Sequence, residues 1–160
     1  MKSIDISIGI KRKVFDTCIL PCLTYGCETW SLTKLQRDSI VHCQRAMERS
    51  MLGVKKQDRK RHTFIRSKTK VTDVLDKIDQ LKWRWTGHLM RCPQEKWSKI
   101  STEWYPRDGK RKKGRQVKRW EDEIKLTAGP NWRRVAKDRR QWKMLEEAYA
   151  KRHTELRDIL

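Results

Sequence analysis

The sequence predicts an all-α protein, folded as an irregular bundle of about five helices. Only four prolines and seven glycines occur in 160 residues, so few positions interrupt a helix. Apolar residues recur at spacings of three and four along several segments, which is the period of a helix buried on one face. No segment alternates apolar and polar residues as a half-buried strand does. These observations favour helix throughout the chain.

The first two helices are predicted before residue 54. Residues 8–19 form the first, and Pro21 is expected to end it because proline lacks the backbone N–H. The second is expected to begin at a cap, Ser31 or Thr33, and to end at Gly53, since glycine readily adopts the left-handed conformation found after a helix C-terminus. Its apolar residues repeat with a near-helical period and predict the buried face: Leu32, Leu35, Ile40, Cys43, Met47 and Met51.

Three further helices are predicted after residue 70. The third helix begins near Thr72 and stops before Pro93. Its apolar face contains Val74, Ile78, Leu81, Trp85 and Leu89. The fourth and fifth occupy about 117–127 and 131–152. One face of the fifth helix holds Trp132, Val135, Ala136, Trp142, Leu145 and Tyr149. Residues 95–105 are left open between a short helix and a loop.

The net charge of +20 is concentrated in two clusters. Residues 55–70 (KKQDRKRHTFIRSKTK) hold eight Lys and Arg against one Asp, and residues 107–119 (RDGKRKKGRQVKR) hold the same numbers. Such a field attracts polyanions, of which nucleic acid is the commonest large one. Because phosphate contacts release condensed counterions, binding should weaken steeply as salt rises.

The charge distribution also predicts the domains. We expect a helical lobe at 1–54, a basic linker at 55–70 and a Trp-rich helical C-terminal lobe at 71–160, within which 107–119 is a basic loop. The two lobes would then be small bodies joined by the basic segment. The apolar content of 36% is low for a globular domain, and eight tryptophans partly compensate for the thin core.

The predicted binding residues are cations of the two clusters. They are Lys55, Lys56, Arg59, Lys60, Arg61, Lys110, Arg111, Lys112, Lys113, Arg115, Lys118 and Arg119. Cations on several faces of a segment suit contact with a backbone better than reading of base edges. Trp83 and Trp120 are candidates for stacking on an unpaired base, with core packing as the alternative for both. A solvated surface is the alternative for the clusters, and a nuclear-import signal is a further one for 107–119.

No catalytic residue, metal or cofactor is predicted. A zinc site would need ligands from Cys22, Cys27, His42 and Cys43, whose spacing is loose. Adjacent residues of a helix also point in different directions, so buried thiols are the favoured interpretation. The acidic groups at 121–123 and 146–147 are expected to be solvated helix faces, and no phosphate-binding loop or nucleophile motif occurs.

The N-terminus and the cysteines bear on the compartment. The N-terminal segment MKSIDISIGIKRKVF lacks the continuous apolar core of a signal peptide, and no stretch is long and apolar enough for a membrane span. Five cysteines, an odd number, favour reduced thiols. We therefore expect a nuclear or cytoplasmic protein without a membrane partner.

Five strings occur in order along the chain: LPCLTYGCETW (20–30), QRAMERSMLGV (44–54), KWRWTGHLMR (82–91), GRQVKRWEDEI (114–124) and NWRRVAKDRRQWKMLEEAY (131–149). The series, from about residue 10 to 152, resembles the C-terminal part of the endonuclease–reverse transcriptase of non-LTR retrotransposons of the RTE-like kind. The resemblance implies a fragment that holds the polymerase thumb, roughly 8–54, and the region after it. In that family the thumb is a helical bundle that grips the template–primer duplex.

The resemblance also implies what the chain lacks. The family's palm carries a Tyr/Phe-x-Asp-Asp motif, and no Asp-Asp pair occurs in this sequence. We therefore expect a non-catalytic, nucleic-acid-binding fragment whose partners are RNA, DNA or a hybrid duplex, together with the missing polymerase portion of its parent element. Two alternatives stay open: the tail of a longer, active RNA-directed DNA polymerase, and a helical adaptor that binds an acidic protein.

Overall fold

The structure is a computed structural model that describes residues 6–93, 96–104 and 119–151. These residues form helices and turns, and no strand occurs among them, so the all-α prediction is confirmed. The predicted number of about five helices is wrong, because the described residues contain eight. The helices are α1 (Ile8–Val14, a π-helical turn Phe15–Ile19, and Leu20–Leu23), α2 (Lys34–Leu52), α3 (His62–Thr69), α4 (Val74–Arg91), α5 (Trp97–Glu103), α6 (Asp122–Ala128), α7 (Trp132–Lys137) and α8 (Arg139–Met144).

The larger number of helices has identifiable causes. The basic segment 55–70 contains α3, and the ambiguous residues 95–105 contain α5. The predicted fifth helix is interrupted at Asp138, whose carboxylate accepts hydrogen bonds from the backbone N–H groups of Arg140 and Gln141, at 2.9 and 3.2 Å. An aspartate at this position starts a new helix rather than continuing the old one.

Pro21 does not end α1, contrary to the prediction. A π-helical turn precedes it, in which the N–H of Leu20 donates to the carbonyl of Phe15. Pro21 then lies at the start of the following α-helical turn, Leu20–Leu23, where a missing N–H costs little. The extra residue of the π-helical turn therefore lets the helix continue through a proline.

The chain divides into two compact units. The first unit contains residues 1–26 and 32–78, and the second contains residues 27–31 and 79–160. Residues 55–70 belong to the first unit, where they include α3. The domain boundaries given by the sequence stay a prediction.

Helix α2 begins and ends as its sequence predicts. The side chain of Thr33 accepts a hydrogen bond from the N–H of Gln36, whose own side chain accepts from the N–H of Thr33, and together they form a capping box. At the other end Gly53 has a φ of 66°, in the left-handed region that glycine adopts without strain.

The buried face of α2 differs from the apolar face that was predicted. Leu35 and Cys43 are exposed. The buried residues are instead spaced by four, three and four positions, and three of the four are polar: Arg37, Val41, Gln44 and Glu48. Gln44 and Glu48 bind groups that are distant in sequence, and those long-range hydrogen bonds stabilise burial of a polar face.

The core of the second unit is aromatic. It is formed by buried residues from α4, α6, α7, α8 and the helical residues after α8: Trp83, Leu89, Met90, Ile124, Trp132, Ala136, Trp142 and Tyr149. Leu145 and Val135 pack against this cluster while remaining partly exposed. The apolar faces predicted for the third and fifth helices therefore do line a core, although the fifth helix is divided.

Candidate nucleic-acid interface

The basic segment 55–70 is shaped by local turns. After Gly53 ends α2, the N–H of Lys55 donates to the carboxylate of Asp58 at 2.8 Å and closes a short 3-10 turn. Arg59 follows with a φ of 45° and redirects the chain toward α3. Asp58, the one acidic residue of the segment, is thus held by the turn. These turns place the cations of 55–61 before the first turn of α3.

Helix α3 is fixed to α2 by a buried carboxylate. Glu48 accepts a hydrogen bond from the hydroxyl of Thr69 at 3.0 Å and lies 3.8 Å from the guanidinium of Arg66. Arg66 also pairs with Asp73 at 2.6 Å. The buried side of α3 consists of Ile65 and Thr69. Arg66 is therefore a structural cation, and the basic segment is mounted on a defined scaffold.

Gln44 fixes the chain that leaves this segment. Its amide nitrogen donates to the carbonyl of Thr72 at 2.9 Å, and its amide oxygen accepts from the N–H of Val74 at 2.9 Å. The N–H of Thr72 in turn donates to Asp16 at 3.0 Å. Both ends of the basic segment are thus attached to the body of the first unit.

Seven of the eight cations in 55–70 face solvent. They are Lys55, Lys56, Arg59, Lys60, Arg61, Lys68 and Lys70. Within the part of the chain that the structure describes, none of the seven forms an ion pair. The first five are predicted binding residues, and the structure brings them together in one exposed stretch. Their charge is available to an external anion, because no described carboxylate neutralises it.

The second predicted cluster lies almost entirely outside the described residues. This holds for Lys110, Arg111, Lys112, Lys113, Arg115 and Lys118. Arg119 is described, and its backbone N–H donates to the carboxylate of Asp122 at 2.5 Å, just before α6. The basic loop predicted at 107–119 stays a prediction.

The two tryptophans predicted as stacking candidates are engaged within the second unit. Trp83 is fully buried, and its ring has no open face on which a base could stack. Trp120 is partly buried, and its indole N–H donates to the carbonyl of Glu28 at 2.7 Å. Its ring meets the rings of Trp85 and Trp132 edge-on, with centroids 5.6 and 6.4 Å apart. Both side chains therefore pack within the second unit, which is the alternative that the sequence left open to stacking on a base.

Other aromatic side chains are exposed, and the sequence pattern did not single them out. Phe64 lies inside the basic segment, on α3, with 47% of its surface exposed. Trp97 and Trp104, on and just after α5, are 83% and 68% exposed. Phe64 is the one Phe, Trp or Tyr between 55 and 70. A single aromatic side chain inside a basic segment is the sequence signal that indicates this position.

Many described cations of the second unit are held by carboxylates. Lys82 and Glu123 form a buried pair at 2.9 Å, and Arg84 pairs with Glu146 at 2.6 Å. Glu121 binds Lys125 at 2.7 Å and Arg133 at 3.1 Å. The expectation that residues 121–123 form a solvated face is wrong for Glu121 and Glu123, since both are buried to bind these cations.

A third basic stretch was not singled out from the sequence. Residues 133–143 contain six Lys and Arg against one Asp. Five of them are exposed: Arg134, Lys137, Arg139, Arg140 and Lys143. A charge count over this window would have identified the stretch. It offers a natural control surface for the cluster at 55–70.

The cysteines are mostly exposed, which corrects the expectation of buried thiols. Cys18, Cys22 and Cys43 lie on the surface, Cys92 is intermediate, and Cys27 is buried. In the described ranges, no group of three or more His, Cys, Asp or Glu side chains is placed to hold a metal ion. The same residues include no helix that is long and apolar enough to cross a membrane.

Comparison with known proteins identifies a relative. The chain is 31% identical, over 146 aligned residues, to an uncharacterized transposon-derived protein of Caenorhabditis elegans. The alignment covers 83% of this chain and 52% of the relative, so the chain spans about half the length of that protein. No protein-family model and no solved structure matches the chain. The similarity supports a transposon origin.

Proposed function

We propose that this chain is a non-catalytic nucleic-acid-binding fragment of a retrotransposon reverse transcriptase, corresponding to its thumb and post-thumb region. The segment 55–70 binds the sugar–phosphate backbone of RNA, DNA or a hybrid duplex. The observation that carries the proposal is the set of seven exposed cations on this segment, none of which pairs with a described carboxylate. The chemistry is recognition only, because the chain contains no Asp-Asp pair of the kind that binds the polymerase metals.

The number of exposed cations supports this location, because 55–70 exposes seven while 133–143 of the second unit exposes five. Lys82, Arg84 and Lys125 are held by carboxylates within the second unit and contribute to its folding. The seven exposed cations of 55–70 form no described ion pair, and Lys68 is the one among them with a described ring contact, to Phe64. A concentration of unneutralised charge opposes folding through self-repulsion. An anionic partner that neutralises these cations would account for such a concentration of charge.

The expected recognition tolerates any sequence. Lysine and arginine side chains contact phosphate oxygens, which carry no base information. If all seven exposed cations of the segment contact phosphates of a duplex, the logarithm of the binding constant falls with the logarithm of salt with a slope of about −6. The affinity should thus be high at low salt and similar among sequences of equal length.

A reverse transcriptase origin is supported by the resemblance of the sequence strings, and the relative supports the broader transposon origin. The five strings that resemble the C-terminal part of non-LTR reverse transcriptases lie in order along nearly the whole chain. The relative in Caenorhabditis elegans is described as transposon-derived. Both observations indicate that the chain derives from a mobile element, and the strings favour the polymerase as the part of the element from which it derives.

The test compares two variants with equal charge loss. The first replaces by glutamine the five predicted cations of the segment: Lys55, Lys56, Arg59, Lys60 and Arg61. The control replaces by glutamine the five exposed cations of residues 133–143 in the second unit: Arg134, Lys137, Arg139, Arg140 and Lys143. Filter binding to a 20-mer of RNA, of duplex DNA and of hybrid at low salt should show a loss of roughly tenfold or more for the first variant, and a smaller loss for the control.

Three results would contradict the proposal. Equal losses of affinity in both variants would mean that binding depends on the overall charge of the protein and not on the segment 55–70. No binding of the unaltered chain at low salt, or competition by an acidic peptide as strong as that by nucleic acid, would favour the helical adaptor that binds an acidic protein.

A second proposal concerns the parent protein. We propose, as the alternative, that these residues are the tail of a longer, active RNA-directed DNA polymerase; the chain spans about half the length of its relative, which leaves room for a longer parent polypeptide. The nucleotide sequence upstream of Met1 tests this. An open reading frame that encodes Tyr-x-Asp-Asp supports the polymerase, and an interrupted frame rejects it.

A further inference from the structure

Phe64 is placed by α3 on the outer side of the first unit. The helix buries Ile65 and Thr69, which are four positions apart and therefore share a face. Phe64 precedes this face by one position and remains 47% exposed. Lys68, one helical turn after Phe64, shares the outer face, and its ammonium lies 5.8 Å from the centroid of the phenyl ring. The aromatic ring is thus presented to solvent beside a cation.

The surroundings of Phe64 are cationic on both sides along the helix. Lys68, four positions later, is exposed on the same side as Phe64, and Arg61, three positions earlier, is the exposed N-cap residue of the helix. With a rise of about 1.5 Å per residue, the seven positions between them span about 10 Å, which equals roughly three stacked nucleotides. The two cations therefore lie before and after the ring along a length of about three nucleotides, which allows each to bind a phosphate on one side of a base stacked on Phe64.

The ring also selects among anionic partners. A polyanion without aromatic groups would be satisfied by the cations alone and would gain nothing from an exposed phenyl group. A nucleobase has a π-face that stacks on an aromatic side chain, whatever the base. In a duplex both faces of a base are covered by its neighbours, so stacking on protein requires an unpaired nucleotide.

From this arrangement we propose that Phe64 stacks on an unpaired base while Arg61 and Lys68 bind the flanking phosphates, so that the segment 55–70 prefers single-stranded nucleic acid or an unpaired end over a continuous duplex. The inference rests on the proposed function, because it assigns a preferred substrate to the same cationic surface. It differs from that function in depending on one uncharged side chain.

The experiment uses the full chain and two probes with equal numbers of phosphates: an unstructured, labelled oligouridylate and a labelled blunt-ended RNA duplex. Fluorescence anisotropy at low salt gives the affinity of each variant for both probes. The variants Phe64→Ala and Phe64→Leu remove the ring, and Phe64→Trp keeps an aromatic group. Lys68→Gln is the matched loss of a cation on the same face.

We expect the unaltered chain to bind the single strand more tightly. Phe64→Ala and Phe64→Leu should each weaken single-strand binding by roughly fivefold to 100-fold, as loss of one stacked base predicts, and should change duplex binding less than about twofold. Phe64→Trp should preserve the preference for the single strand, and Lys68→Gln should weaken the binding of both probes. Thermal unfolding of each variant, followed by circular dichroism, reports whether the fold is retained.

Three outcomes would overturn the inference while leaving phosphate binding in place. The unaltered chain could bind both probes with equal affinity, or Phe64→Ala could lose the same factor of affinity for both probes. The third outcome is full retention of single-strand binding by Phe64→Leu. The last would assign an apolar contact to the position instead of stacking. Absence of binding to either probe by the unaltered chain would overturn the proposed function as well.

Discussion

Trp83 and Trp142 exchange hydrogen bonds across the core of the second unit. The indole N–H of Trp83 donates to the carbonyl of Trp142 at 2.8 Å, and the indole N–H of Trp142 donates to the carbonyl of Trp83 at 2.9 Å. The two rings stack with centroids 3.8 Å apart and planes inclined by 5°. This reciprocal pair attaches α8 to α4 and satisfies two buried indole groups.

We predict that Trp83→Phe destabilises the protein by about 2–4 kcal/mol. The change leaves a cavity beside Trp142 and removes the donor to its buried carbonyl. Urea unfolding followed by circular dichroism measures the free energy of unfolding. Trp97→Phe, at a largely exposed position, is the control and should change it little. Similar values for both variants would contradict the role of the reciprocal pair.

Gly87 is predicted to be required for the approach of Trp142 to α4. A Cβ atom at position 87 would lie 2.5 Å from two ring atoms of Trp142. Gly87→Ala should therefore lower the free energy of unfolding by about 1–3 kcal/mol, despite the better helix propensity of alanine.

The control for this prediction is Gly9→Ala in α1. No atom lies within 4 Å of a Cβ built at Gly9, so the change should be neutral or stabilise the helix by up to about 1 kcal/mol. Thermal unfolding of both variants gives the comparison. A stabilising effect of Gly87→Ala would mean that Trp142 does not pack against this glycine in solution.

Gln44→Ala should destabilise the first unit by about 1–3 kcal/mol. The change removes a donor to Thr72 and leaves the buried N–H of Val74 without its acceptor. Gln57→Ala, in the exposed turn Lys56–Asp58, is the matched control and should have little effect. Chemical unfolding measures both. Faster hydrogen exchange at Val74 in the Gln44 variant would link the loss to this contact, and unchanged exchange would contradict the assignment.

The buried pair of Lys82 and Glu123 gives a prediction with an internal control. Lys82→Met alone leaves the Glu123 carboxylate buried without its ammonium partner and should cost about 3–5 kcal/mol. The double variant, Lys82→Met with Glu123→Leu, removes both charges and should recover most of the loss. Denaturant unfolding of the single and double variants tests this. A double variant less stable than the single one would show that loss of the ammonium partner of Glu123 is not the main cause of the destabilisation.

The sequence predicted those features that depend on neighbouring residues. Thr33 and Gly53 delimit α2 because capping chemistry acts within three or four positions. The buried polar face of α2 could not be predicted, since Gln44 finds its partners at residues 72 and 74 and Glu48 finds Thr69. A hydrophobic period gives no information about such distant partners, and it favoured the wrong face.

In the candidate site, too, the features set by neighbouring residues could be predicted and those set by distant contacts could not. The cations from Lys55 to Arg61 are recognisable from charge density alone, because a carboxylate-poor stretch exposes its charges in almost any fold. The position of an aromatic ring depends on which side of a helix is buried. Trp83, off the apolar face of α4, is buried by a distant Trp142, whereas Phe64 is exposed because Ile65 and Thr69 are turned inward. Neither outcome follows from composition.

The most direct measurement of the central claim is the salt dependence of duplex binding for the unaltered chain and for the variant in which Lys55, Lys56, Arg59, Lys60 and Arg61 are replaced by glutamine. We expect the slope of the logarithm of the binding constant against the logarithm of salt to become smaller in magnitude by about 4 to 5, because five phosphate contacts are lost. Parallel lines with the same slope for the two proteins would contradict it.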